Sequence, residues 1–323
     1  MDLWTLSDLA TPWSVHVAAT LRIADHIEGG HTEIGDLATV AGADRDALHR
    51  MLRHLVSKGL FEEPSPGRFA LNDLARGLLG ESGRLGFDLD SFGGRMAHAW
   101  GTLLSAVRTG KPAYHEHFGR DYWADLDAHP KIAADFDALM GRAGHGTPDP
   151  EVLLNPADWD SVKTVVDVGG GTGDLLAEVL RARPHVLGIL VDLPRTIARS
   201  AEIFQAAGVA NRVTTVGQSF FDPLPAGAGL YMLKGVLVDW PDPEAAAILK
   251  RCAEAARPSG RIVIFSQAGE GEEASPELLM LVLVGGRART VDEFRSMGRD
   301  AGVQVTAVGR QISGRVLIEC RPI

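Results

Sequence analysis

The segment VVDVGGGTGD (165–174) places glycines at 169, 170, 171 and 173 between a β-branched run and the apolar-periodic residues Leu175, Leu176, Val179 and Leu180. Glycine lets backbone N–H groups come close to a ligand, and the helix start behind such a turn favours an anionic group. The spacing is G-x-G-x-G over Gly169, Gly171 and Gly173. Position 174 is Asp174, so the dinucleotide spacing G-x-G-x-x-G is not met. That suits a nucleoside ligand without phosphates, whose carboxylate alone needs the helix terminus. Asp192 ends the next apolar run, GILVDLP, about where an acidic residue accepts hydrogen bonds from a ribose in such folds. GQSFFDPLP (217–225) and YMLKGVLVDWPD (231–242) follow in order. A glycine turn alone is unspecific; these ordered signals within one half-sheet are not.

The elements that must position these residues form a doubly wound α/β sheet. From 162 onward strand and helix alternate, with strands expected at 164–168, 188–191, 213–216, 230–234 and 262–266. Helices start near Leu175, Ile197 and Glu244, and another spans 291–301. The final strands, 304–308 and 316–320, have no helix between them and should pair antiparallel.

Residues 1–85 read as helical with one hairpin. The run LWTLSDLATPWSVHVAATLRIADHI has apolar residues at helical spacing, interrupted once at Pro12. Thr32 can cap a helix reaching Val40, and Gly42 can end it. Asp44 or Asp46 starts the next helix, which Gly59 closes, and FEEPSPGRFAL makes two short strands. Helix, turn, helix, wing is a winged-helix reading. Helical stretches at 89–108 and 121–143 then join this module to the sheet. They carry Trp100, Tyr114, Trp123, Phe136 and Met140, suited to an apolar pocket wall or to plain core. The domains expected are 1–85 and 86–323, the second comprising a helical pocket segment (86–160) and the sheet (161–323).

Composition narrows the function classes. With 323 residues, 45% hydrophobic, the chain can bury a full core. A net charge of -10 argues against nucleic acid, so Arg45, Arg50, Arg53 and Lys58 near the second winged-helix helix read as a solvated face before they read as a DNA-binding regulator's. No apolar run reaches the ~18–20 residues that span a bilayer. Cys252 and Cys320 fit no C-x-x-C pattern and read as buried thiols of a cytoplasmic protein.

These residues resemble the bacterial small-molecule O-methyltransferases, which share the plant caffeate-type architecture of a winged-helix dimerisation module before a class I S-adenosylmethionine-binding sheet with an antiparallel last strand. The resemblance covers essentially the whole chain. LSDLATPWSVHVAATLRIADHI and RMLRHLVSKGLF look like the naphthoate O-methyltransferases of enediyne pathways; LVDWPD and GGRART look like the anthracycline-tailoring branch. The resemblance implies a homodimer acting on a small aromatic substrate, with S-adenosylmethionine as cofactor, S-adenosylhomocysteine as product and no metal. It implies that Gly169, Gly170 and Gly171 line the methionine end and that Asp192 binds the ribose hydroxyls. Ser219 and Phe220 would meet the adenine, and Lys234 and Trp240 would close over the cofactor. Singly, Phe220 and Trp240 read equally as core and Lys234 as an exposed strand end.

The family's acid–base positions are silent here. The histidine before D-W is Val238, the supporting glutamate of G-G-K-E-R-T is Ala288, and the acidic residue ending the fifth strand is Ser266. Valine cannot accept a proton. Methyl transfer from a sulfonium leaves a neutral thioether, so only the acceptor must be anionic. Ionising a phenol of pKa near 10 at neutral pH costs about 3 pKa units, or roughly 4 kcal/mol. A positioned base contributes ~10²–10⁴ in rate, while orientation supplies effective molarities of ~10⁵–10⁸ M, so holding acceptor and methyl together can outweigh the missing base. The anthracycline branch includes a relative that hydroxylates with the cofactor bound, which leaves decarboxylative hydroxylation or a pericyclic step as the alternative chemistry. His145, just after Arg142, is a candidate base or a holder of a substrate hydroxyl or carboxylate; between Gly144 and Gly146 it also reads as an exposed loop residue. Arg142, Tyr114 and Met140 are the candidate substrate contacts. His115 and His117 have a metal-like H-E-H spacing but no identifiable third ligand.

Overall fold

The computed structural model describes residues 2–142, 159–266, 277–310 and 316–323. The chain divides into two compact units, Met1–Trp100 with Leu126–Gly144 and Gly101–Asp125 with His145–Ile323. Segment 86–160 is therefore shared between the units.

In the first unit, helices Ala10–Thr20, Ile23–Glu28, Ile34–Val40 and Arg45–Ser57 precede an antiparallel hairpin of β1 (Phe61–Ser65) and β2 (Arg68–Leu71). Leu48, Leu52 and Leu55 make one helical stripe and pack with Ile23, Leu37, Phe61 and Phe69 in a single core. Asp44 caps the fourth helix, accepting from the Ala47 N–H at 2.9 Å. One local expectation shifts and another fails, each for a physical reason. The first run is interrupted just ahead of Pro12, between helices Leu3–Leu6 and Ala10–Thr20; Pro12 itself sits in the first turn of the latter, where a missing N–H has no helical partner to lose. A second break falls at Arg22, held in the left-handed region at φ 53°. Thr32 does not cap Ile34–Val40; Glu33 occupies that position, while the Thr32 carbonyl accepts from Phe69 of the wing.

In the second unit, β3 (Thr164–Val168), β4 (Leu187–Asp192), β5 (Val213–Gly217), β6 (Leu230–Lys234), β7 (Arg261–Ser266), β8 (Val303–Arg310) and β9 (Val316–Pro322) form one sheet. Its order is β5-β4-β3-β6-β7-β9-β8, the first five strands parallel and β9 antiparallel to both β7 and β8. This is the expected doubly wound sheet. β3, β6 and β7 are buried along nearly their whole length, as strands covered on both faces must be. Separate apolar clusters cover the two faces, one around Tyr231, Ile248 and Ile264, the other around Val165, Leu176 and Met232. Because the strands are parallel, the residues following β3, β4, β5 and β6 share one edge, the carboxyl edge, where such sheets bind ligands.

Candidate active site

The glycine turn after β3 owes its shape to close packing. Gly169 (φ 68°), Gly171 (φ 61°) and Gly173 (φ 90°) all have the positive φ that side chains resist. A Cβ at Gly170 would overlap the Asp167 carboxylate and Leu190, and one at Gly173 would overlap the Phe204 ring. At Gly171 nothing among the described residues lies within 4 Å of that position. The turn is thus rigid behind and open in front.

Asp192 fixes the turn from the end of β4. One carboxylate oxygen accepts from the Gly171 N–H at 2.8 Å and the other from the Leu193 N–H at 2.7 Å. Burial raises its pKa, and those two backbone bonds oppose the rise. Asp167, in the middle of β3, is 1% exposed, and its Oδ2 has no hydrogen-bond partner among the described residues. Burial pushes this carboxyl up to about 7, with Lys234 at the end of β6 pulling it down and Asp192 pushing it up. Gly170, Asp167, Asp192 and Lys234 therefore share one electrostatic environment.

Aromatic rings wall the site beyond β5 and β6. Phe220 lies beside Gly169, and Trp240 meets Phe220 and Phe221 edge-on at 5.9 and 4.9 Å between centroids. Trp123 stacks on the far face of Trp240 at 5.8 Å and 14°. Ser219 uses its hydroxyl locally, accepting from the Phe221 N–H at 3.2 Å. The turn carrying Val238, Asp239 and Trp240 is strapped by Arg289, itself 1% exposed. Arg289 donates to the carbonyls of Leu237 (2.6 Å) and Trp240 (2.7 Å) and to the Asp242 carboxylate (2.9 Å). Gly286 backs directly against this turn, where a Cβ would overlap Val238, Asp239 and Trp240 backbone atoms.

A family model for the O-methyltransferase domain matches residues 100–304, and one for the O-methyltransferase dimerisation domain matches residues 4–81. The chain belongs to the O-methyltransferase family. Among the relatives of this methyltransferase, 2,7-dihydroxy-5-methyl-1-naphthoate 7-O-methyltransferase of Streptomyces carzinostaticus is 41% identical over 95% of the chain and 93% of its own length. Aclacinomycin 10-hydroxylase RdmB of Streptomyces purpurascens is 36% identical over 94% and 84%. A solved O-methyltransferase from neocarzinostatin biosynthesis, in complex with S-adenosylmethionine and 2-hydroxy-5-methyl naphthoic acid, matches with TM-score 0.90 at 38% identity, covering 100% of this chain and 99% of that one.

The methyltransferase brings Gly169, Gly170, Gly171, Asp192, Phe220, Lys234 and Trp240 to the same edge of its sheet. The residues fit S-adenosylmethionine: an open glycine face, a fixed carboxylate for a diol, and the orphaned Asp167 oxygen beside the cradle, an acceptor for a cationic ligand. Tyr114 is otherwise engaged. It is 1% exposed, stacked on Phe118, and its hydroxyl donates to Asp125 at 2.8 Å. Met140 ends helix Pro130–Met140 with 43% of its surface exposed, and Arg142 is exposed just beyond; both belong to the first unit. His145 lies outside the described residues. Among the described residues there is no cluster of three His, Cys, Asp or Glu side chains able to hold a metal, and no helix long and apolar enough to cross a membrane.

Sequence reasoning passed over Asp167, Asp239 and Arg289. Asp167 had a signal: a lone acid inside a strand otherwise made of Thr164, Val165, Val166 and Val168 must be buried. Asp239 and Arg289 had none beyond standing next to Val238 and Ala288.

Proposed function

We propose that this methyltransferase transfers a methyl group from S-adenosylmethionine to a phenolic oxygen of a bicyclic or polycyclic aromatic carboxylate of polyketide type. The observation that carries the reading is the whole-length likeness to a structure holding that cofactor and a naphthoic acid, together with the cradle described above. When bound, the cofactor supplies an electrophilic methyl on a positively charged sulfur. Gly169, Gly170 and Gly171 take its amino-acid end, and Asp192 its ribose hydroxyls. Phe220 and Ser219 flank the adenine, while Lys234 and Trp240 close the site. Arg142 and Met140 remain proposed as substrate-side residues and His145 as an accessory proton acceptor, while Tyr114, buried against Phe118 and Asp125, is proposed to act there only through its packing. Val238 holds the acceptor by packing alone, so orientation supplies most of the rate.

Asp192→Ala removes both the diol acceptor and the tie on Gly171. It is expected to weaken S-adenosylmethionine binding by roughly 10- to 100-fold, the worth of charge-assisted hydrogen bonds. Calorimetric titration checks this; an affinity unchanged within a small factor removes Asp192 from the site. The chemistry is tested by incubating the enzyme with S-adenosylmethionine and 2,7-dihydroxy-5-methyl-1-naphthoate, the acceptor named for its relative. A mass gain of one methyl supports the reading. The hydroxylase relative favours a second reading, in which the bound cofactor assists decarboxylative hydroxylation; loss of carbon dioxide with gain of oxygen would replace the first by it.

The dimerisation domain and the exposed Leu3, Trp4, Leu6 and Leu9 support a homodimer, which light scattering would report as twice the chain mass. The net charge of -10 supports a small-molecule partner over nucleic acid, and the free buried Cys252 and Cys320 support a cytoplasmic setting.

A further inference from the structure

We propose that the Asp239 carboxylate holds the acceptor's hydroxyl and takes its proton. This rests on the O-methylation reading above. Asp239 ends the short helical turn Leu237–Asp239, between Val238 and the aromatic wall begun by Trp240. The Arg289 strap and the Gly286 contact fix the turn's backbone, and with it the point from which the carboxylate leaves the chain. It is only partly accessible, and among the described residues it makes no hydrogen bond or ion pair. A desolvated carboxylate without a donor is costly, and such groups cluster where a ligand completes them. The missing donor is what a phenolic O–H brings.

The electrostatics tune this carboxylate for the task. Burial raises its pKa to about 7, and the Glu277 carboxylate, just before helix Leu278–Leu283, adds to the rise. Among the described residues, the charged groups that bear on the turn include Arg289, paired with Asp242, and Arg287, which pairs with Asp242 and Glu293. A base with a pKa near the working pH combines a useful ionised fraction with real proton affinity. In the step, the acceptor O–H bond breaks as an O–H bond forms on Asp239. The electron pair stays on the acceptor oxygen, which bonds to the methyl carbon as its bond to sulfur breaks to a neutral thioether. Asp239 then returns its proton to water.

The test compares wild type, Asp239→Asn and Glu277→Gln on two acceptors: 2,7-dihydroxy-5-methyl-1-naphthoate and an analogue nitrated beside its 7-hydroxyl, already ionised at the assay pH. Asparagine copies the shape of the protonated acid, so the fold should hold. Asp239→Asn is expected to lower kcat on the first acceptor by about 10²-fold or more, and on the ionised analogue by less than a tenth of that factor. Glu277→Gln removes a negative neighbour and should move the acid limb of the pH–kcat profile to lower pH. Equal losses on both acceptors or an unmoved acid limb would overturn the proposal while leaving O-methylation standing. Absence of methyl transfer to either acceptor by wild type would remove the O-methylation reading and the proposal with it.

Discussion

Arg289→Ala is expected to lower the unfolding free energy by about 2–5 kcal/mol, the cost of leaving interior carbonyl acceptors without their donor. The guanidinium is 1% exposed and reaches groups that a smaller side chain cannot: the Leu237, Trp240 and Arg287 carbonyls and the Asp242 carboxylate. After truncation those carbonyls stay in the interior without donors, and each orphaned acceptor costs about 1–3 kcal/mol. Arg289→Lys keeps the charge but replaces a planar fork with a single ammonium, so it should recover only part of the loss. Denaturant unfolding of the three proteins measures the order. A change below about 1 kcal/mol for the alanine variant would mean that water replaces the guanidinium and that the strap is dispensable. The same variants should lose acceptor turnover before they lose cofactor binding. The strap holds the turn of Val238, Asp239 and Trp240, whereas Asp192 and the glycine turn are tied to each other independently.

The sheet was legible because its signals are local and redundant. β3, β6 and the helix Val291–Ala301 begin and end where periodicity places them, and the antiparallel pairing of β8 and β9 follows from the missing helix between them. What periodicity could not supply is any choice decided by distant partners. Thr32 has the right side chain for a cap, yet its carbonyl is claimed by Phe69 across the wing. Tyr114 has the composition of a pocket wall, yet its hydroxyl finds Asp125 and its ring Phe118. In the site, the family pattern drew attention to the emptied positions Val238, Ala288 and Ser266. The neighbouring residues Asp239 and Arg289 carry the charge that remains. Their importance comes from burial and from partners far away in sequence, Glu277 and Asp242, which no spacing rule connects to them.

Asp167 should make the stability of the cofactor-free enzyme fall as pH rises from about 4 to about 7. In the folded state its carboxyl keeps its proton up to about 7; in the unfolded chain it releases it near 3.8, the ordinary value for an aspartate. Across that window the folded state binds more protons than the unfolded one, so raising the pH favours unfolding. At about 1.4 kcal/mol per pH unit, the width of that window amounts to roughly 4 kcal/mol at most. The contribution is fully present below the window and absent above it. Asp239 pushes in the same direction, so the slope should shrink rather than vanish in Asp167→Asn. A cationic ligand in the glycine cradle reverses the balance, because positive charge beside Asp167 favours its ionised form as Lys234 already does in part. Binding of S-adenosylmethionine should therefore release a proton below about pH 7, tightening as pH rises toward that value and levelling off above it. Calorimetry in buffers of different ionisation enthalpy reads the released proton directly. In Asp167→Asn the release should drop to whatever Asp192, the other raised carboxylate of the cradle, supplies. Equal proton release by the two proteins would show that the Asp167 carboxylate is already ionised in the free enzyme. Lys234 would then be its standing partner, and the cofactor would meet a neutral pair where a recruitable negative charge is expected.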